Sequence, residues 1–170
     1  MDLDLGKAVR GRRERGATLM EFAIISPVLL LLLFGAIELA RLGFAFSEVW
    51  SAAREGARYA TVFGDSDSDG APNYIDCDAI EDAALAKITV ESVDGGDVDV
   101  FWMAGATVVA DCQGGGAPPP SATGAIDSGI EIRVEVTSTF NAVVPILDSF
   151  FDGIALDSTQ NRTINYGTLP

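Results

Sequence analysis

Arg15-Gly16-Ala17-Thr18-Leu19-Met20-Glu21-Phe22 opens an apolar run that continues through Ala23-Ile24-Ile25-Ser26-Pro27 to Val28-Leu-Leu-Leu-Leu-Leu-Phe-Gly-Ala-Ile37. The reading of this stretch decides the fold. From Ala17 to Ile37 the only ionisable side chain is Glu21. As an α-helix these 21 residues cover about 32 Å at ~1.5 Å per residue, enough for a hydrocarbon core of about 30 Å. Phe22 to Ile37 alone would reach only about 24 Å. The segment Val28–Ile37 is apolar on every face, whereas the core helix of a soluble domain keeps a polar side. A secretory signal peptide also begins with a basic region and an apolar run. This run is long for that purpose and carries Glu21 near its start. A carboxylate inside a membrane helix costs roughly 2.5–3.5 kcal/mol on insertion scales, so it calls for a partner or a role.

Charge is unevenly distributed on either side of the run. Residues 1–16 carry Lys7, Arg10, Arg12, Arg13 and Arg15 against Asp2, Asp4 and Glu14, a net of +2. Residues 65–170 carry 18 acids against Lys87, Arg133 and Arg162, a net of −15. By the positive-inside rule the basic head stays in the cytoplasm and the acidic body is exported. The whole chain has a formal charge of −14. That argues against nucleic acid as a partner, since binding phosphates takes Lys and Arg. There is no histidine, which removes Ser-His-Asp and Cys-His catalysis and His-containing zinc sites. Carboxylates such as Glu131 and Glu135 lie on the polar side of an alternating strand and read as solubilising charge. No pair stands out as a general acid and base, so no catalytic residues are assigned and the chain does not read as an enzyme.

Gly16, Ala17, Glu21 and Phe22 resemble the processing site of type IV prepilins: a short basic leader ending in glycine, four residues, glutamate, an aromatic, then an apolar helix. Together with Pro27 and the later stretch Ala53-Arg54-Glu55-Gly56-Ala57-Arg58-Tyr59-Ala60, residues 12–62 resemble the TadE-like family of minor pseudopilins in tight-adherence (Flp) pilus systems. The tail, with IEIRVEVTSTF and VVPILDSFFDGI, is similar but less distinctive, and the acidic insert at 65–76 departs from the family. The resemblance implies a type IV pilin-like α+β fold with a long, partly transmembrane helix on a small antiparallel sheet. It also implies cleavage after Gly16 by a prepilin peptidase, a single-pass position in the bacterial inner membrane with the C-terminal domain periplasmic or extracellular, and other pseudopilins as partners. The expected divisions are a leader at 1–16, a helix at 17–63 with its transmembrane part at about 17–42, and an exported head at 64–170. After cleavage, Glu21 of one subunit can pair with the new amino group on Ala17 of its neighbour, each charge offsetting the desolvation of the other. A carboxylate that merely reaches for the interface is the plainer reading of Glu21.

Past the span, Phe46, Val49, Trp50, Ala53, Ala57, Ala60 and Phe63 recur every three or four residues and predict the inner face of a continuing helix. Ser47, Glu48, Ser51, Arg54, Glu55 and Arg58 take the other face, with Glu55 and Arg58 spaced for an i,i+3 pair. Gly35, Gly43 and Gly56 read as weak points where the helix can bend.

Asp65, Asp67, Asp69, Asn73 and Asp76 stand at positions 1, 3, 5, 9 and 12 of a loop with Gly70 at position 6, the spacing of EF-hand-type calcium loops. A solvated Asp/Ser linker is the alternative. The functional alternative is accordingly a membrane-tethered periplasmic Ca²⁺-binding interaction module. No cofactor is required by the main reading. Cys77 and Cys112 can form a disulfide in an exported domain, or stay as free thiols in a core. A helix is predicted from Asp78, acting as cap, to Ile88. Strands are predicted around Val98–Trp102, Thr107–Ala110, Ile130–Phe140 and from Ile154, with a short amphipathic helix at VVPILDSFF. GGGAPPPSATG at 114–124 reads as a surface loop; it lacks the lysine and following helix of a phosphate site.

Overall fold

A computed structural model describes residues 5–62, 64, 66, 72–89, 97–112, 130–151 and 153–164, with the side chains of 5–16 and of Asp97 excepted. The order of elements is α1 (Leu5–Ala60), α2 (Cys77–Leu85), β1 (Asp97–Ala104), β2 (Thr107–Asp111), β3 (Ile130–Phe140), α3 (Asp148–Phe151) and β4 (Ile154–Thr163). The four strands form one antiparallel sheet in the order β2-β1-β3-β4. A long N-terminal apolar helix followed by a small antiparallel sheet is an α+β, pilin-like layout. The chain divides into two compact units, residues 1–40 and 41–170.

In the first unit, α1 begins within the basic N-terminal segment and runs through the apolar stretch. Its large apolar side chains from Leu19 to Ile37 are exposed. The helix is long and apolar enough to cross a membrane, by length and composition. Pro27 lies inside it and cannot donate to the Ala23 carbonyl one turn earlier. Membrane helices tolerate such a break because neighbouring groups re-satisfy the backbone.

In the second unit, the strand alternation predicted for β3 is obeyed. Ile132, Val134, Val136 and Phe140 are buried, while Glu131, Arg133, Glu135 and Thr137 take the opposite face. Val100 and Trp102 of β1 and Leu156 of β4 complete the buried face. Across it lie Ala45, Val49, Ala52, Ala53, Ala57 and Ala60 of α1. Each buried valine, isoleucine or phenylalanine contributes roughly 1.5–3 kcal/mol over leaving it in water. The helix stripe differs from its expected membership. Phe46 and Trp50, placed inside by periodicity, are 54% and 44% exposed, and the small Ala45 and Ala52 take the inner positions. Glu48, expected on the solvent face, is buried; its Oε1 accepts hydrogen bonds from the Thr89 amide at 3.3 Å and from the Thr89 hydroxyl. Phe63 lies outside the described residues, as does the 114–124 loop.

α2 starts one residue before its expected start and is capped by Asp76, not Asp78. Asp76 has extended backbone and its Oδ1 accepts from the Ala79 amide at 3.0 Å. Asp78 instead supplies a negative charge to the first turn. Ile80 and Ala84 of α2 are buried, as the spacing requires. The β1–β2 hairpin closes through Gly105, whose φ of 63° suits a residue without Cβ. The segment expected as an amphipathic helix at 143–151 is helical only at Asp148–Phe151 and leaves Ile146 and Phe150 in solvent.

Candidate functional site

The residues singled out by sequence fall into three groups. The first stands at the start of the apolar helix. Ala17, Glu21 and Phe22 are exposed on α1, so this stretch presents a carboxylate among open apolar side chains. Gly16 is helical, and its surroundings lie outside the description.

The second group, Arg54-Glu55-Gly56-Ala57-Arg58-Tyr59, sits where α1 crosses the sheet. Gly56 is buried. A Cβ placed on it would come within 3.2 Å of Ala84 Cβ and of Val134 Cγ1, and 3.4 Å from the Ile80 carbonyl oxygen. It is therefore a close approach of α1 to α2 and β3, and its missing side chain leaves room for the three elements to meet. Sequence reading treated it as a bend. The usable signal was its place beside Ala53 and Ala57, which makes a patch too small to hold elements apart. Tyr59 is half-buried against the core. Arg58 closes a two-pronged pair on Glu55, Nε to Oε2 at 2.9 Å and Nη2 to Oε1 at 2.5 Å. The hydrogen bond from Arg58 holds the Glu55 carboxyl below its ordinary range; partial burial opposes this, and the Arg58 and Lys87 charges add to it. The same contact raises the Arg58 guanidinium. Arg54 lies over the Trp50 ring, 5.4 Å from its centroid. The motif thus fixes how α1 seats on the sheet, with its charged members engaged along the helix itself.

The third group belongs to the acidic loop and the cysteines. Asp65, Asp67 and Asp69 lie outside the described residues. Asn73 is fully buried: its Oδ1 accepts from the Ser66 amide at 2.8 Å, and its Nδ2 donates to Ser66 Oγ at 2.7 Å and the Val62 carbonyl at 3.2 Å. Asp76 turns Oδ1 to α2, and its buried Oδ2 has no hydrogen-bond partner. Among the described residues no three His, Cys, Asp or Glu side chains converge in a way that could hold a metal. Cys77 and Cys112 form a disulfide with Cα atoms 5.8 Å apart. It ties the first residue of α2 to the residue after β2. Closing a loop of this length is worth roughly 3–4 kcal/mol on the chain-entropy model. Trp102 Nε1 adds a second tie by donating to the Tyr74 carbonyl at 3.0 Å.

The family model for TadE-like proteins matches residues 16–58. The match begins at Gly16, covers Glu21 and Pro27, and ends at Arg58 within the second group. The matched residues, a quarter of the chain, are similar to TadE-like proteins. No curated protein and no solved structure matches the chain.

Proposed function

We propose that the chain is a minor pseudopilin that supports assembly of a tight-adherence pilus. Prepilin peptidase removes residues 1–16, the apolar helix holds the product in the inner membrane, and the acidic head stands on the far side. The observation that carries this reading is the TadE-like match over residues 16–58, supported by the exposed large apolar side chains from Leu19 to Ile37; a cut after Gly16 would make Glu21 the fifth residue. The disulfide supports export, because such bonds persist in oxidising compartments. In an assembly of like helices, Glu21 meets the Ala17 amino group of a neighbouring subunit. Both charges are then neutralised where lipid would otherwise penalise each one, and the axial register is fixed. Glu21→Gln tests the pairing. The variant inserts as well as the natural chain or better, since a charge has left the membrane, yet it does not join the pilus machinery. Normal piliation by Glu21→Gln would overturn the pairing.

A second reading adds calcium to the head. The oxygen donors at Asp65, Asp67, Asp69, Asn73 and Asp76 have the loop spacing, and the buried Oδ2 of Asp76 has an oxygen to offer. Asn73 retains one lone pair on Oδ1 beyond the bond it accepts from Ser66. Calcium would offset the carboxylates gathered ahead of α2 in a head whose acids repel one another. Saturation at about 100 times the dissociation constant stabilises a fold by about 2.7 kcal/mol. The full chain in detergent should therefore melt higher in millimolar calcium than in chelator at fixed ionic strength. Asp65→Ala/Asp69→Ala should not respond, and magnesium should replace calcium poorly. Equal melting with calcium and chelator would leave the loop a solvated linker.

A further inference from the structure

We infer that the connection between β3 and β4 inserts into the headgroup region of the bilayer that holds the chain, with Ile146 and Phe150 as its insertion points. Both are large apolar side chains, 73% and 77% exposed. They stand on a built turn. The Leu147 amide bonds the Val144 carbonyl at 2.8 Å, the Phe150 and Phe151 amides bond the Leu147 carbonyl at 2.9 and 3.1 Å, and the Gly153 amide closes on Phe140 at 3.0 Å. Leu147 is buried and Phe151 packs against the core, so the turn is anchored while Ile146 and Phe150 face outward.

The direction of β3 places this turn. Gly56 of α1 meets Val134, and the Arg41 guanidinium lies over the Phe140 ring, 5.5 Å from its centroid. From Gly56 back to Arg41 the helix covers about 22 Å, and from Val134 on to Phe140 the strand covers about 20 Å. The two elements therefore run antiparallel over matched lengths. The turn beyond Phe140 lies at the Arg41 end of this unit, and Arg41 and Leu42 are where the span of about 17–42 leaves the lipid. Phe44 and Phe46, exposed on α1 just past that boundary, add apolar surface at the same level. Amphipathic elements bury their apolar side about 5–10 Å into the headgroup boundary, a depth that leaves the exposed Asp148 carboxylate hydrated. The occupant is thus the bilayer that holds the chain, and no anionic lipid is needed.

The inference rests on the membrane-spanning reading, and the test separates the two. Ile146→Cys, Phe150→Cys, Val108→Cys and Leu30→Cys are each labelled with an environment-sensitive fluorophore, the native cysteines being in their disulfide. The full chain is placed in phosphatidylcholine vesicles containing brominated acyl chains. Val108 is an exposed apolar residue at the opposite end of the sheet, and Leu30 reports the span itself. The expected result is a blue shift and loss of emission at 146 and 150 as at 30, with position 108 unaffected and open to aqueous iodide. Lipid quenching at 30 but not at 146 or 150 would overturn the inference and leave the span standing. Absence of quenching at 30 would overturn both. A shift at 146 and 150 that grows with the protein-to-lipid ratio and ignores the bromines would mean contact with another protein, and would also overturn it.

Discussion

Gly56 shows how one residue can be misread when only its backbone is considered. In an exposed helix interior glycine costs up to about 1 kcal/mol relative to alanine, and Gly43, with nothing within 4 Å of a would-be Cβ, fits that description. Gly56 instead holds three elements at contact distance, against the fixed Ala84 Cβ and a carbonyl as well as Val134. Adding a branched side chain there overpacks a tight junction, which costs about 1–3 kcal/mol. Gly56→Val should lower the thermal midpoint of the head, whereas Gly43→Ala should leave it unchanged or raise it. Melting curves that shift the same way for both would contradict the close-approach role. Glu48 was hidden for a related reason. Its acidity argued for solvent, and in the fold its carboxylate accepts from Thr89, a residue 41 positions away that no local pattern connects to it.

At the scale of elements, the strands were legible and the helix face was legible only in part. β3 alternates cleanly because one face is buried and the other is not, so the period of two is written into the residues from Ile130 to Thr137. α1 obeys its period of three to four, but the packing selects for size as well as hydrophobicity. Alanines lie against the sheet while Phe46 and Trp50 point away, and hydropathy alone ranks them in the opposite order. The cap of α2 moved from Asp78 to Asp76 because two aspartates within three residues both fit the rule, and only backbone geometry chooses between them. The Glu55–Arg58 pair was read correctly from its i,i+3 spacing. Its pH behaviour follows from the sign of the shift. The folded carboxyl lies below its ordinary value of 4.5, so the pair's contribution is present above the unfolded value and is lost as pH falls through the folded one. The Arg58 partner is exposed, so solvent screens that contribution and keeps it small. Titrating the Glu55 carboxyl by NMR in the natural chain and in Arg58→Gln should show an upward move in the variant. An unchanged titration would mean the pair does not persist in solution.

For the whole molecule, the order of basic N-terminus, apolar helix and acidic body could be read from charge and hydropathy before any strand was placed. Those features are set by solvent, and solvent acts on composition. The disulfide could be read only as an option, because two cysteines do not reveal whether 35 intervening residues bring them together; the structure brings their Cα atoms to 5.8 Å. The 65–76 loop stayed legible as spacing alone, with Asn73 and Asp76 placed and Asp65, Asp67 and Asp69 outside the described residues. The proposed function turns on a cut after Gly16, because the proposed pairing of Glu21 needs a free Ala17 amino group. Intact-mass and N-terminal peptide mass spectrometry of the protein purified from membranes of a host with an active prepilin peptidase tests this most directly. The account predicts a mature chain that begins at Ala17. A chain that keeps residues 1–16 in that host would contradict it.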